Sequence, residues 1–273
     1  MAEVCAFLLS TIAHTEPNEA TALLQKNDKT KKMKKTSTIL LLTAATLAFY
    51  ACNKSDENSP RLSQKAYTLH PDETQVIEGT NISGLIWESD NEFAATVKDG
   101  TITAKFVGRT NITADNLTLP VEVKPKNHLY DEPSMDWGAS KETICAKYGT
   151  PINDKDNSLM FKTNNSKAPY YIFLFDEKGM SASGVVVELS AGMELVDFLI
   201  ERYLPVDVDT SRYSATFVHA YGKISNPQTD YGAYMRAAST GDILVAYTAI
   251  GTKTRTSEQT VHHTLEIMDN LLL

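Results

Sequence analysis

This sequence has few cysteines, no apolar run long enough to span a membrane and a shortage of positive charge. Only 3 of the 273 residues are cysteine, at Cys5, Cys52 and Cys145, so a disulfide framework is not expected. The formal net charge is −8, and because the first 51 residues hold six Lys/Arg and four Asp/Glu, the rest of the chain has 20 basic and 30 acidic residues. Such an acidic chain argues against nucleic acid as a partner.

The sequence also lacks the motifs of catalysis and of metal binding. No HExxH or Gly-x-Ser-x-Gly pattern occurs, and the acidic run around Asp154 and Asp156 lacks the Gly and Glu of a calcium loop. His262 and His263 are adjacent, so on a helix they point about 100° apart and favour an exposed pair over a metal site. Carboxylates and histidines do not cluster as a hydrolase would require. We therefore expect no enzyme, no metal and no cofactor.

A basic segment followed by an apolar one ends at Cys52. From Met33 the chain reads Met-Lys-Lys-Thr-Ser-Thr, and the apolar run Ile39–Ala51 leads directly to the cysteine. These are the parts of a signal peptide, and the Ala-Cys junction resembles the cleavage site of bacterial lipoproteins, specifically those of Bacteroidetes. The resemblance implies that Cys52 receives lipid and that this lipid holds the chain to a membrane. Residues 1–51 then contain the signal and a translation start placed too early, with a double signal as the alternative.

Residues 52–63 are polar and contain Pro60, which is typical of a flexible tether. The tether begins with an export-like run that is similar to the short signal sending lipoproteins of that phylum to the cell surface: Lys54, Ser55, Asp56 and Glu57. The resemblance implies an outer-membrane lipoprotein at the cell surface. A plain charged tether, with the protein on the periplasmic face, is the alternative.

Residues 64–125 alternate apolar and polar positions in short runs separated by turn signals, which predicts a small β-sandwich. Five blocks in order resemble the group 2 bacterial immunoglobulin-like family: Ile86–Asn91, Ala95–Val97, Asp99–Gly100, Ile102–Ala104 and Gly108–Ala114. The resemblance implies a spacer or adhesive module without catalytic residues. Each block also has a packing explanation, with Trp87 filling the core.

A Pro-containing joint over 123–127 separates that module from residues 128–273. Helices are predicted over 141–148, with Ser140 as N-cap, over 194–203 and over 257–273. Strands are predicted over 158–163, 170–175, 184–189, 213–221, 233–238 and 243–250. Two successive units of one helix and three strands predict an α+β domain, an antiparallel sheet with helices on one face.

This tandem order resembles that of the β-lactamase inhibitor protein, and the helix ending in Tyr-Gly-Thr-Pro is similar to small outer-membrane assembly lipoproteins. No functional residue is carried over from either resemblance.

The distal region contains ten of the twelve tyrosines, and tyrosine anchors binding surfaces because it offers area at little cost in side-chain entropy. Tyr170 and Tyr171 are the candidate binding residues, with core packing of their strand as the alternative. We expect the distal domain to recognise a protein or glycan without turnover. An envelope polysaccharide or peptide hydrolase is the competing hypothesis.

Overall fold

The structure is a computed structural model that describes residues 59–250 and 258–273. The described part is rich in β-strands that are mostly antiparallel, and it contains three α-helices. The strands of the N-terminal unit, which we define as residues 59–125, are β1 Arg61–Leu62, β2 Tyr67–Leu69, β3 Thr74–Val76, β4 Gly79–Thr80, β5 Glu88–Ser89, β6 Ala95–Lys98, β7 Thr101–Ala104, β8 Gly108–Ala114 and β9 Leu117–Val123.

The C-terminal unit, residues 126–250 and 258–273, contains the helices and the remaining strands. In chain order these are α1 Lys141–Tyr148, β10 Asn153–Lys155, β11 Ser158–Lys162, β12 Tyr170–Asp176, β13 Gly179–Val187, α2 Gly192–Ile200, β14 Leu204–Asp209, β15 Ser214–Lys223, β16 Asn226–Ala237, β17 Ile243–Ala249 and α3 Glu258–Asn270.

The N-terminal unit packs a four-stranded sheet, in the order β2-β9-β8-β5, and a three-stranded sheet, in the order β3-β7-β6, around one core. The strictly alternating burial of β8 and β9 follows from the period of two along a strand. Trp87 is 9% exposed and belongs to this core, together with Ile102 and Ile112. Gly100 has a φ of 73° in the turn between β6 and β7, a conformation that favours glycine.

The C-terminal unit contains one antiparallel eight-stranded sheet in the order β10-β11-β12-β13-β17-β16-β15-β14. Each half consists of a helix followed by four strands, and the last strands of the two halves, β13 and β17, pair at the centre. The prediction of three strands per unit was therefore wrong by one. The missed strands, β10 and β14, contain aspartates at Asp154, Asp207 and Asp209, which are depleted in strands and favoured in turns.

Helices cover both faces of this sheet, so the prediction of helices on one face was wrong. On the first face, α1 and α2 pack on residues such as Phe173 and Val245. On the second face, Leu265 and Met268 of α3 pack on residues that include Ile172. The central strands are apolar on both sides, and each side must be buried.

Helix α1 begins and ends where its sequence predicts. The Ser140 hydroxyl accepts a hydrogen bond from the Thr143 backbone N–H at 3.3 Å, which confirms the predicted N-cap. Gly149 follows the helix with a φ of 89°, where a residue with a Cβ would be strained.

The two units share an apolar contact. Phe93 of the N-terminal unit, only 3% exposed, packs with Leu204 and Val218 of the C-terminal sheet. At the edge of this contact the Lys223 ammonium lies 3.2 Å from a Glu88 carboxylate oxygen.

The segment joining the two units is hydrogen-bonded to both members of a buried ion pair, Glu201 and Arg202. The Glu201 carboxylate accepts hydrogen bonds from the backbone N–H groups of Lys126, at 3.0 Å, and Asn127, at 2.8 Å. The Arg202 guanidinium donates to the Asn127 carbonyl at 2.9 Å and to the Glu201 carboxylate at 3.0 Å. Both charged side chains are less than a tenth exposed, and these contacts fix the path of the joint.

Candidate functional site

A β-bulge between β15 and β16 places a histidine beside an aspartate. The pairing of the two strands shifts between Val218 and Ala220, so His219 stands opposite the Asp230–Tyr231 pair. Its Nδ1 lies 2.6 Å from the Asp230 carboxylate. Bulges re-aim side chains and are frequent beside functional sites, and here the bulge brings a titratable pair to the face that also holds α2.

Three tyrosine rings surround this pair. The His219 ring stacks on Tyr231, with centroids 4.8 Å apart and planes 10° from parallel, and also on Tyr221 at 6.0 Å and 29°. The Tyr203 ring meets Tyr231 edge to face at 5.9 Å. Tyr221 is 38% exposed whereas Tyr203 is 1% exposed, so the rings run from the surface into the core.

The carboxylate of Glu132 closes the inner end of the ring cluster. It accepts a hydrogen bond from the Tyr203 hydroxyl. Desolvation raises the pKa of Glu132 to about 7, and the Arg202 guanidinium opposes this rise. Glu132 as a whole residue is exposed, yet its carboxyl group is desolvated, because the carboxyl end reaches a buried hydroxyl while the rest of the residue borders solvent.

Contacts of the neighbouring residues position Glu132. The Tyr130 hydroxyl lies 2.7 Å from the hydroxyl of Tyr247, and both side chains are buried. The Tyr171 hydroxyl donates to the Asp131 carbonyl at 2.6 Å. Two tyrosines of the sheet thus hold the two residues that precede Glu132, one through the Tyr130 side chain and the other through the Asp131 carbonyl.

We call these six residues the aromatic–acidic patch: Glu132, Tyr203, His219, Tyr221, Asp230 and Tyr231. Ring faces and edges can stack on an apolar surface of a ligand, and the carboxylates can accept hydrogen bonds. The Arg202 guanidinium is directed instead to the carbonyls of Phe198 and Asn127 and to Glu201. The patch therefore disfavours anionic ligands.

The structure does not bring the predicted binding residues together. Tyr170 and Tyr171 are both half-buried and lie on opposite faces of β12, with Tyr170 packed against the α3 side and Tyr171 against the α1 and α2 side. They do not form a continuous row, and their role in binding stays a prediction. The predicted lipid-attachment and export residues lie outside the described residues: Cys52, Lys54, Ser55, Asp56 and Glu57.

Sequence reasoning missed the patch because its members come from separate segments of the chain. Glu132 lies in the loop between the joint and α1, Tyr203 follows α2, and the others lie on β15 and β16. The excess of tyrosine in the distal region was the signal that pointed to them. The expectation that carboxylates and histidines do not cluster as in a hydrolase stays a prediction, although His219 contacts Asp230 and His128 contacts Asp131.

A groove of about 420 Å³ lies on the outer face of the four-stranded sheet. The charged residues that line it are paired within the groove: Arg109 donates to Glu122 at 2.8 Å, and the Asp90 carboxylate accepts from the side chain of Asn111 at 2.8 Å. This groove is therefore a weaker candidate than the patch.

The described residues contain no group of three or more His, Cys, Asp or Glu that could hold a metal ion. His263 is 73% exposed and lies 4.0 Å from a Glu266 carboxylate oxygen. In the same part of the chain, no helix combines the length and apolar character needed to cross a membrane.

The fold and the patch together define a β-rich chain of two units with one aromatic–acidic surface. No protein-family model matches the sequence, and the comparison with curated proteins gives no match. Among solved structures, domains 5–6 of the S-layer protein SbsC are similar to this chain with 12% identity and a TM-score of 0.19, over 72% of this chain and 88% of that chain. A likeness this low carries no argument about function.

Proposed function

We propose that this chain is a lipid-anchored protein of the cell envelope whose C-terminal unit recognises a protein or glycan without turnover. The aromatic–acidic patch is the observation that carries the recognition part of this proposal, because partly exposed rings beside carboxylates suit recognition by stacking and hydrogen bonding. The N-terminal unit, with two small sheets around the Trp87 core, supports an immunoglobulin-like spacer between the membrane and the patch.

The α+β part of the proposal rests on the eight-stranded sheet. Two halves of one helix and four strands meet at β13 and β17, an arrangement that supports the tandem resemblance to the β-lactamase inhibitor protein. The helices on both faces depart from the expected layering, so no binding surface is transferred from that family.

We propose a lipid on Cys52 as the membrane anchor. The membrane is the outer membrane, and the protein lies on the cell surface rather than on the periplasmic face. Cys52→Ala is expected to abolish incorporation of a fatty-acid analogue and to release the chain from membranes. Replacing Lys54, Asp56 and Glu57 with Ala is expected to retain the label but to remove protease accessibility on whole cells. Label retained on the Cys52→Ala variant would refute the anchor. Unchanged protease accessibility of the triple variant would mean that Lys54, Asp56 and Glu57 are part of a tether and not an export signal.

Recognition by the patch can be tested with a chain that begins at Asn53 and keeps every described residue. This chain is expected to sediment with envelope fractions, and Tyr221→Ala is expected to reduce that binding about tenfold if Tyr221 is a binding hot spot. Tyr213→Ala is the matched control, because Tyr213 is equally exposed, at 38%, and lies outside the patch. Equal loss in both variants would contradict recognition by the patch.

A hydrolase of envelope polymers remains a second candidate, favoured by the contact between His219 and Asp230 and by the raised pKa of Glu132. Groups with shifted pKa values cluster at catalytic sites. Release of reducing ends or peptides from the same envelope fractions, abolished by Glu132→Gln or Asp230→Asn, would replace recognition with catalysis.

A further inference from the structure

We propose that the aromatic–acidic patch binds a neutral saccharide. This inference rests on the proposed function, because it names the ligand class of the same site. It is carried by the stack of rings, by two carboxylate oxygens without a hydrogen-bond partner in the described part of the chain, and by the direction of the Arg202 guanidinium toward other groups.

The ring stack offers the apolar part of such a site. The C–H face of a pyranose packs on an aromatic ring as another apolar surface does. Tyr221 is the outermost ring, 38% exposed, and it is backed by His219 and then by Tyr231. A ring fixed from behind loses little side-chain entropy when a ligand covers it.

The carboxylates offer the polar part. Asp230 uses its Oδ1 for His219, at 2.6 Å, and for the Tyr231 backbone N–H, at 2.9 Å. Glu132 uses its Oε1 for the Tyr203 hydroxyl. The second oxygen of each carboxylate has no hydrogen-bond partner within residues 59–250 and 263–273, so each carboxylate keeps an oxygen that can accept a hydrogen bond.

The charge of the surroundings selects against acidic ligands. Asp131, 89% exposed, lies next to Glu132, and the Arg202 guanidinium is occupied by the joint. Although Asp131 lies 3.4 Å from His128 Nε2 and Asp230 contacts His219, an anionic sugar or a phosphate would still meet the negative charge of these carboxylates.

The protonation of Glu132 favours a ligand hydroxyl over a ligand ammonium group as its hydrogen-bond partner. With a pKa of about 7, the Glu132 carboxyl is about half protonated at neutral pH, so it can donate as well as accept a hydrogen bond. A sugar hydroxyl also does both, whereas an ammonium group only donates.

The test uses the chain beginning at Asn53 in isothermal titration calorimetry at pH 7. The neutral probes are cellohexaose, maltohexaose, mannohexaose and xylohexaose, and the charged probes are hexagalacturonate and hexalysine. At least one neutral probe is expected to bind and hexagalacturonate is not. Tyr221→Ala and Asp230→Asn are each expected to weaken the binding of the neutral probe about tenfold, as for a binding hot spot. Tyr213→Ala, the control with the same exposure, is expected to leave it unchanged.

Three results would overturn the proposal: no neutral probe binds, hexalysine or hexagalacturonate binds better than every neutral probe, or Tyr221→Ala leaves the binding of the neutral probe unchanged. Failure of the proposed function is separate from these results. If no saccharide binds but sedimentation with envelope fractions is lost in Tyr221→Ala and kept in Tyr213→Ala, the patch recognises a ligand of another class.

Discussion

Trp87 and Ile86 are neighbours in the chain with opposite environments. Trp87 is 9% exposed inside the N-terminal core and Ile86 is 84% exposed. We expect Trp87→Ala to lower the free energy of unfolding by about 3–5 kcal/mol, because it removes the largest side chain of a small core. Ile86→Ala should change it by less than about 0.5 kcal/mol. Urea unfolding followed by circular dichroism measures both, and a cost below about 1 kcal/mol for Trp87→Ala would show that the core does not depend on it.

Glu132 predicts a specific dependence of stability on pH. Its folded pKa, about 7, lies above the ordinary value of 4.5 because the carboxyl group is desolvated. The neutral form is favoured in the folded state, so its stabilising contribution is complete below about pH 4.5 and is lost as pH rises through 7. Glu132→Gln keeps an acceptor for the Tyr203 hydroxyl and removes this titration.

We therefore expect the wild type to lose stability relative to Glu132→Gln between pH 5 and pH 8. The relative loss should be about 1 kcal/mol, which is less than the full shift implies at about 1.4 kcal/mol per pKa unit because solvent screens a partly exposed residue. Urea unfolding at several pH values provides the measurement, and Asp131→Asn, at the exposed neighbouring position, is the control. Parallel pH profiles for wild type and Glu132→Gln would contradict the assignment.

At the scale of secondary-structure elements, α3 docks on the sheet through a fitted contact. A Cβ added at Gly184 would lie 2.8 Å from the Met268 Sδ and 3.1 Å from the Val245 carbonyl oxygen. Gly184→Ala should therefore cost about 1–3 kcal/mol of unfolding free energy by overpacking. In a Met268→Ala background the cost should shrink, because the closest contact is gone. A double-mutant cycle measures this coupling. Additive costs would mean that the contact between Gly184 and Met268 of α3 does not explain the need for glycine at this position.

Some secondary-structure elements could be predicted from the sequence and others could not. Helix α1 was predicted with its N-cap, because Ser140 and the stop at Gly149 act through neighbouring residues. The second face of the sheet was not predicted, because apolar residues on both sides of β12 and β13 say that both faces are buried but not what covers them. The edge strands β10 and β14 depend on pairing with β11 and β15, which overrides their turn-like composition.

At the scale of the whole molecule, the contact between the units sets how independently they fold. The segment 61–125 encloses its own core, so it is expected to melt cooperatively when isolated. Its melting temperature should be lower than in the whole chain, because Phe93 loses the cover of Leu204 and Val218. Scanning calorimetry of the segment and of the whole chain measures the difference.

Phe93→Ala separates the contribution of the contact from that of the core. It should cost about 3–5 kcal/mol in the whole chain, where the side chain is 3% exposed, and much less in the isolated segment. An equal cost in both, or identical melting temperatures for segment and whole chain, would mean that the two units do not stabilise each other.

Alternation and capping act within a few residues, so the sequence was enough to predict core positions of the N-terminal unit such as Trp87, Ile102 and Ile112, and the approximate bounds of the three helices. Tertiary structure decided the number of strands in each half, the covering of both sheet faces and the bound path of the joint. It also formed the aromatic–acidic patch, because Glu132, Tyr203 and His219 meet only when the loop before α1, the residues after α2 and β15 pack together. Residues separated by tens of positions carry no periodic signal of their contact, so only the folded chain could place them side by side.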